Sequence, residues 1–100
     1  MEFKVSERLI ILSALPREGD ILICKTINRT IDKLGLGDGE RERSGAEITE
    51  NGLVLVDDFV TDIDIEKGSV DLIRETFKKL SDRKKLHIEH LPLYERFVDA

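Results

Sequence analysis

The sequence predicts a single α+β domain in which four or five helices pack on a small antiparallel β-hairpin. Helical patterns lie on both sides of the dipeptide Asn51-Gly52. Asn-Gly between two runs of β-forming residues is the strongest short-range signal for a hairpin, because a type I′ turn needs positive φ at both of its central residues. A chain of 100 residues has room for one core, so residues 1–100 are expected to form one domain.

Two helices are predicted in the first third of the chain. Ser6 is the expected N-cap of a helix over residues 7–15, which is apolar on nearly all sides and therefore belongs at the centre of the core. Pro16 ends this helix, since the residue before a proline is pushed out of the α region. Asp20 is the expected N-cap of a second helix, 21–34. Its apolar stripe is formed by Ile23, Ile27, Ile31 and Leu34.

The middle of the chain is predicted to contain the strands. A short third helix is expected over residues 38–44, although this segment is polar all round and a loop is the alternative. The hairpin follows, and Leu53–Val56 is apolar on both faces, as expected for an inner strand. Residues 59–65 alternate between apolar and polar, which favours a third strand over an extended loop.

Two more helices complete the predicted order. Ser69 is the expected cap of a long helix whose apolar stripe contains Val70, Ile73, Phe77 and Leu80,. Pro92 fits the first turn of a last helix. The buried face of that helix is expected to contain Leu91, Tyr94, Phe97 and Val98. The resulting order of elements is like that of a winged helix.

Composition narrows the classes of protein to consider. The longest apolar run, Leu9–Leu12, is far shorter than the roughly 20 residues that cross a bilayer,. The N-terminus lacks the profile of a signal peptide, so a cytoplasmic location with no membrane partner is the expectation. Cys24 is the single cysteine, which excludes an internal disulfide and a cage of cysteines around a metal.

Charge is distributed unevenly along the chain. Residues 46–66 contain seven acidic residues and no basic one, whereas the whole chain has a net charge of −5. This asymmetry predicts an acidic face that would bind a basic partner. The acidic face comprises Asp57, Asp58, Asp62, Asp64 and Glu66. A basic helix end, comprising Lys78, Lys79, Lys84 and Lys85, is the second candidate surface, for a protein partner or for the acidic region of a second copy in a dimer.

A winged-helix DNA-binding protein is the alternative. Its recognition helix would be the third helix, with Arg41 and Arg43 as the DNA-binding residues. Groove-binding elements place positive charge against phosphates. The third helix alternates acids with bases and the hairpin region is acidic, so nucleic acid is not the expected partner.

Histidines, carboxylates, glycines and the cysteine could each belong to a site of chemistry, but their spacing does not favour one. His87 and His90 are spaced three apart beside an acid, but they lack the H-E-x-x-H arrangement of zinc ligands. The acids of residues 57–66 lack the spacing of a calcium loop. The glycines of residues 35–39 follow a helix and lack the lysine of a phosphate-binding loop. Cys24 is expected to be a structural thiol. No catalytic residue, metal site or cofactor is predicted, and we expect a protein that is not an enzyme.

Two segments carry a resemblance to known sequences. Residues 7–20, which include Leu15-Pro16-Arg17-Glu18-Gly19-Asp20, and residues 93–98 together resemble small uncharacterised proteins of about this length encoded by phages and prophages. The resemblance implies no activity and no functional residues. It does favour an accessory binding protein over an enzyme.

Overall fold

A computed structural model describes residues 1–99 of the chain. It shows an α+β fold with five α-helices and two small antiparallel sheets of two strands each. A 3₁₀ turn over Ile88–His90 precedes the last helix. In chain order the elements are β1 (Glu2–Lys4), α1 (Val5–Ala14), α2 (Ile21–Leu34), α3 (Asp38–Ser44), β2 (Glu47–Thr49), β3 (Gly52–Val54), β4 (Val60–Asp62), α4 (Lys67–Asp82) and α5 (Leu91–Phe97).

The predicted third strand exists as β4, but it does not extend the hairpin. It pairs with β1, with Phe3 opposite Thr61, whereas β2 and β3 pair only with each other. The alternating pattern of this segment is confirmed, because Phe59 and Ile63 are buried while Val60 is exposed. β1 was missed, since a strand of three residues is too short to show a period.

The core lies between the β1–β4 sheet and the helices. Phe3 of β1 is fully buried, and its ring stacks on Phe97 of α5 with centroids 6.3 Å apart. α2 and α4 pack against each other and α1 contacts both. The buried cluster comprises Phe3, Ile11, Leu15, Leu34, Ile63, Ile73, Phe77, Leu93 and Phe97. The sheet that organises the core is therefore β1–β4 and not the hairpin.

The prediction that Leu53–Val56 forms an inner strand is wrong. Only Gly52–Val54 is a strand, and the Val54 side chain is 49% exposed. The helices cover the other sheet, so the hairpin has no core to enter. The predicted turn is also displaced by one residue. Thr49 pairs with Gly52. Among the non-glycine residues of 1–99, Lys84 alone has a positive φ, so Asn51 does not adopt the conformation that a type I′ turn requires.

The predicted cap of α1 is wrong as well. The helix begins at Val5, one residue before Ser6. Ser6 donates from its backbone N–H to Asp58 Oδ1 at 2.8 Å and from its hydroxyl to Asp58 Oδ2 at 2.6 Å. A carboxylate at a helix N-terminus satisfies free N–H groups and complements the macrodipole. A residue distant in the chain thus performs the role that was assigned to Ser6.

The remaining helices follow the sequence closely. α2 and α3 have the predicted limits, and Asp20 caps α2 by accepting from the Ile23 N–H at 2.9 Å. α4 begins at Lys67, two residues before Ser69, so Ser69 is not its cap. Ser69 is instead buried, and its hydroxyl hydrogen-bonds that of Thr30 at 2.7 Å, joining α4 to α2.

The last helix has the predicted position but a different buried face. Pro92 lies in its first turn, as expected. Leu93 is buried, whereas Leu91 is exposed. Leu93 and Phe97, four residues apart, form the buried face, and Phe97 stacks on Phe3 of β1. Separately, none of the helices within residues 1–99 has the length and apolar character needed to cross a membrane.

Candidate functional site

A groove lies on the surface between the start of α2 and the length of α4, and we call it the α2–α4 groove. Its volume is about 580 Å³. The end of α1 and the residue Pro16 close it on one side. The apolar side chains that line it are those of Ala14, Pro16, Leu22, Ile23, Leu72 and Leu80. This is a concave surface in which aliphatic side chains lie among polar and charged ones.

The first turn of α2 contains three exposed aliphatic residues, of which Leu22 and Ile23 line the groove and Ile21 adjoins them in the chain. Ile21, Leu22 and Ile23 are 73%, 67% and 41% exposed. The stripe that was predicted to be buried is covered only further along, where Ile27 and Leu34 reach the core. α1 ends at Ala14, and the connection after it leaves the first turn of α2 without a covering element. Three consecutive aliphatic residues occupy most of the helix circumference, so one neighbouring helix cannot bury all of them.

The rim of the groove is charged, and its two ends differ. Asp71 pairs with Arg74 at 3.0 Å and Glu75 lies 3.9 Å from Lys78, so these two acids are compensated by bases on the same helix. Lys79 and Arg83 also line the groove, and neither forms an ion pair within residues 1–99. Glu18 also lines the groove and forms no ion pair within residues 1–99, so the groove contains two bases and one acid without ion pairs. We call the end with Lys79 and Arg83, near the C-terminus of α4, its positive end.

The residues of the predicted acidic face do not form one free surface. Asp57 pairs with Arg43 at 3.1 Å and Asp58 caps α1. Asp62 contacts the α-amino group of Met1 at 2.9 Å, and Glu66 contacts Arg29 at 3.1 Å. Asp64 has no ion pair within residues 1–99. Four of the five carboxylates thus connect elements of the same chain.

The residues of the predicted basic helix end lie on the surface at and after the end of α4. Lys79, Lys84 and Lys85 are exposed and lie outside every ion pair of the described residues. Lys84 has a φ of 58°. Lys78 is the member that has an acidic neighbour. This surface is continuous with the positive end of the α2–α4 groove through Lys79.

The two arginines of the DNA-binding alternative have different surroundings. Arg43 donates from Nε to Asp57, and its guanidinium lies over the Phe59 ring, 4.2 Å from the centroid. These contacts hold α3 against the segment before β4. Arg41 is exposed. The hairpin after α3 contains Glu47 and Glu50 and no basic residue, so the positive surface of this region is small.

Arg8 is a buried charge that sequence reasoning missed. Its side chain is 2% exposed, and its Nε donates to the Leu34 carbonyl at 2.9 Å. One terminal nitrogen donates to the Gly35 carbonyl at 2.7 Å, and the other to Glu40 Oε2 at 2.7 Å. The hydrogen bond from Arg8, followed by that from the Gly37 N–H, lowers the pKa of Glu40 below its usual range. The cluster is structural, because it joins α1, the end of α2 and the start of α3.

The histidines and the cysteine are not gathered into one site. Cys24 is exposed on α2. His90 is buried against Phe77, and its Nδ1 accepts from the His87 N–H at 3.1 Å. Burial, followed by the charge of His87, lowers the pKa of His90, which favours the neutral ring,. Within residues 1–99 no group of three or more His, Cys, Asp and Glu side chains could hold a metal ion.

Comparison of the chain with known protein families, curated proteins and solved structures finds no match.

Proposed function

We propose that this chain is a non-enzymatic protein-binding module, and that the α2–α4 groove is where it binds its partner. The observation that carries the proposal is the exposure of Ile21, Leu22 and Ile23 beside a concave aliphatic surface. Scattered exposed apolar residues are normal in monomeric proteins, but a contiguous patch next to a groove is typical of an interaction site. A cytoplasmic location and an accessory role like that of small phage proteins stay predictions of the sequence.

The shape and charge of the groove define the partner that it would accept. It runs beside a helix of 16 residues, which suits an amphipathic helix with its apolar face against Leu22, Leu72 and Leu80. Lys79 and Arg83 at the positive end would attract acidic residues at one end of that partner segment. Charges of this kind mainly raise the rate of association and fix the orientation of the bound segment.

The experiment is affinity capture from a native lysate with three forms of the chain. The Leu22→Glu form places a charge in the groove. The Ile88→Glu form is the matched control, because Ile88 is also an exposed aliphatic residue (89%) and does not line the groove. We expect a protein that is retained by the wild type and by the control and lost with Leu22→Glu. Equal retention by all three forms would contradict the groove as the binding site.

The captured partner then allows a direct test of the positive end. We expect Lys79→Glu combined with Arg83→Glu to reduce the association rate by about tenfold at low salt, and the loss to shrink as salt is raised. The matched control is Lys4→Glu with Lys33→Glu, two exposed lysines away from the groove. An equal loss in the control pair would mean that net charge, and not the groove, determines the rate.

DNA binding remains the second candidate because of the order of the elements and the exposure of Arg41. An electrophoretic shift at low salt separates the two proposals. Retardation of a duplex at micromolar protein, lost in the Arg41→Glu variant, would favour DNA binding. The contacts of Arg43 with Asp57 and Phe59 argue for the protein-binding proposal, because this guanidinium is already engaged within the chain.

A further inference from the structure

The outer edge of β3 has a feature that the proposed function does not use. Five uncharged residues follow one another from Gly52 to Val56. The side chains of Leu53, Val54 and Val56 are exposed. Aliphatic and β-branched residues of this kind fit a pleated strand that has neighbours. In this chain the run belongs to a hairpin that no helix covers.

The backbone of this edge has no partner outside the hairpin. Within residues 1–99, the N–H and C=O groups of Leu53, Val54 and Leu55 make no backbone hydrogen bond beyond the β2–β3 pair. In an antiparallel pair, every second residue directs its N–H and C=O groups away from the neighbouring strand. On the outer edge of the hairpin these outward groups are available to bond another strand. The base of the hairpin is held in place, because the N–H groups of Val56 and Asp57 donate to the Ser44 carbonyl.

The other strands carry charges that discourage such pairing. β1 contains Glu2 and Lys4, β2 contains Glu47, and β4 contains Asp62. Charged residues on an edge strand are a common protection against pairing with another chain. Among the strands of residues 1–99, β3 is the one without a charged residue. An isolated two-stranded hairpin is also marginally stable and gains from further strands.

We propose that two copies of this chain associate by pairing β3 and the two residues that follow it, residues 52–56, antiparallel about a two-fold axis near Val54, which forms a four-stranded sheet. Two-fold symmetry requires a surface that complements itself. With the axis at Val54, Leu53 of one copy lies opposite Leu55 of the other, and Gly52 opposite Val56. Every residue in this pairing is uncharged. The stretch is therefore complementary to itself across the axis, which is the property that a second copy as the occupant requires,.

Neighbouring registers are less favourable. An axis at Leu55 would place Asp57 opposite Leu53, and an axis at Leu53 would place Glu50 opposite Val56. In both registers a carboxylate of one copy would lie opposite an aliphatic side chain of the other. The contact between two apolar side chains, which the register centred on Val54 makes, would then be lost. The charge pattern thus selects one register as well as one edge.

A disulfide between copies tests the edge and the register together. In a Cys24→Ser background, we expect Val54→Cys to form a covalent dimer on mild oxidation, because residues opposite each other across a two-fold axis are close enough for a disulfide. Ile48→Cys, on the other strand of the same hairpin, is the matched control, because Ile48 is exposed, and it is expected to stay monomeric. Equal yields of dimer from the two variants would overturn the proposal.

Salt dependence separates this dimer from one held by opposite charges. Residues 46–66 carry a net charge of −7, so two hairpins brought together repel each other. We expect the dissociation constant, measured by sedimentation equilibrium, to fall by about threefold or more as salt rises from low to moderate concentration, because salt screens that repulsion. A dissociation constant that rises with salt, or a chain that is monomeric at every concentration, would overturn the proposal.

A charged substitution supplies a second, independent variant. Val54→Lys places a charge on the β3 edge and is expected to weaken the dimer by at least about tenfold. Ile48→Lys places the same charge on β2, at an exposed residue, and is expected to leave the dissociation constant within about twofold of the wild type,. Val54 lies outside the buried cluster, so unchanged circular dichroism confirms that both variants fold. Equal weakening by both substitutions would overturn the choice of edge.

Discussion

The guanidinium of Arg8 forms hydrogen bonds to two separate parts of the chain, the end of α2 and the start of α3, and it shows how a residue can change role on folding. In the sequence Arg8 belongs to the polar start of the first helix. In the structure its hydrogen bonds satisfy the carbonyls of Leu34 and Gly35 at the end of α2. Carbonyls at a helix C-terminus have no partner inside the helix, so a buried cation is a suitable partner for them.

Replacing Arg8 is expected to be among the most destabilising substitutions of a charged residue. Arg8→Met retains an unbranched apolar stem but leaves the Leu34 and Gly35 carbonyls and Glu40 without their donor. We expect the free energy of unfolding, measured with urea, to fall by about 2–3 kcal/mol. Arg41→Met is the control, because Arg41 is exposed, and it is expected to change stability by less than about 0.5 kcal/mol. Similar losses in both variants would contradict this role.

Glu40 gives the same cluster a pH dependence. Its pKa is lowered in the folded state by Arg8, so the unfolded chain binds more protons wherever pH falls towards the ordinary carboxyl value. The stabilisation that ionised Glu40 gives the folded state is fully present above a pH of 4.5, the ordinary pKa of this carboxyl group. It is lost as pH falls through the lowered pKa of Glu40 in the folded state. We expect the difference in unfolding free energy between the wild type and Glu40→Gln to be constant near neutral pH and to shrink below 4.5. A difference that grows in acid would refute the assignment.

Among the elements, the short helix α3 depends on a glycine that sequence reasoning did not single out. Gly45 ends α3 with a φ of 62°, and a Cβ there would lie 2.7 Å from Val56 Cγ2. The left-handed conformation costs other residues about 1 kcal/mol or more. This residue turns the chain from α3 into the hairpin, and it places Val56 against the end of the helix.

Substitution of this glycine tests the turn. We expect Gly45→Ala to lower the thermal unfolding midpoint, with a loss of about 1–2 kcal/mol, because it combines a left-handed conformation with a contact that Val56 must relieve. Gly39→Ala is the matched control. Gly39 lies inside α3, and a Cβ there meets nothing within 4 Å, so the same change is expected to stabilise the helix by about 0.5–1 kcal/mol. Two effects of the same sign would argue against this explanation.

The elements also show where periodicity is a sufficient guide and where it is not. The limits of α2 follow from Asp20 and the aliphatic stripe, since capping and periodicity are local properties,. The cap of α1 cannot be predicted from the local sequence, because the carboxylate that accepts from the first turn of the helix belongs to Asp58, 52 residues along the chain from Ser6. The burial of Leu93 in place of Leu91 depends on how α5 docks on the core, where Phe97 stacks on Phe3 of β1. Each exception involves a contact with a distant part of the chain.

For the whole molecule, the unequal burial of the two sheets predicts unequal local stability. The β1–β4 sheet carries the core residues Phe3 and Ile63 at or beside its strands, whereas both faces of the hairpin are exposed. At concentrations where the chain is monomeric, we expect the hairpin amides to exchange with solvent at least about 100-fold faster than those of Val5 and Ile63, which are bonded in the β1–β4 region,. Equal protection of both regions would mean that the hairpin is covered.

The sequence by itself determined the α+β class, the limits of α2 and the alternation of residues 59–65, and it left residues 38–44 open between a helix and a loop. These depend on capping, periodicity and chain length, which act over a few residues. Only the tertiary structure decided that β4 pairs with β1, that the hairpin stays outside the core, and that the start of α2 is uncovered. Strand pairing and burial depend on residues far apart in the chain, so local patterns do not encode them. The candidate interaction surfaces follow from those decisions, because both consist of apolar residues that the fold leaves exposed.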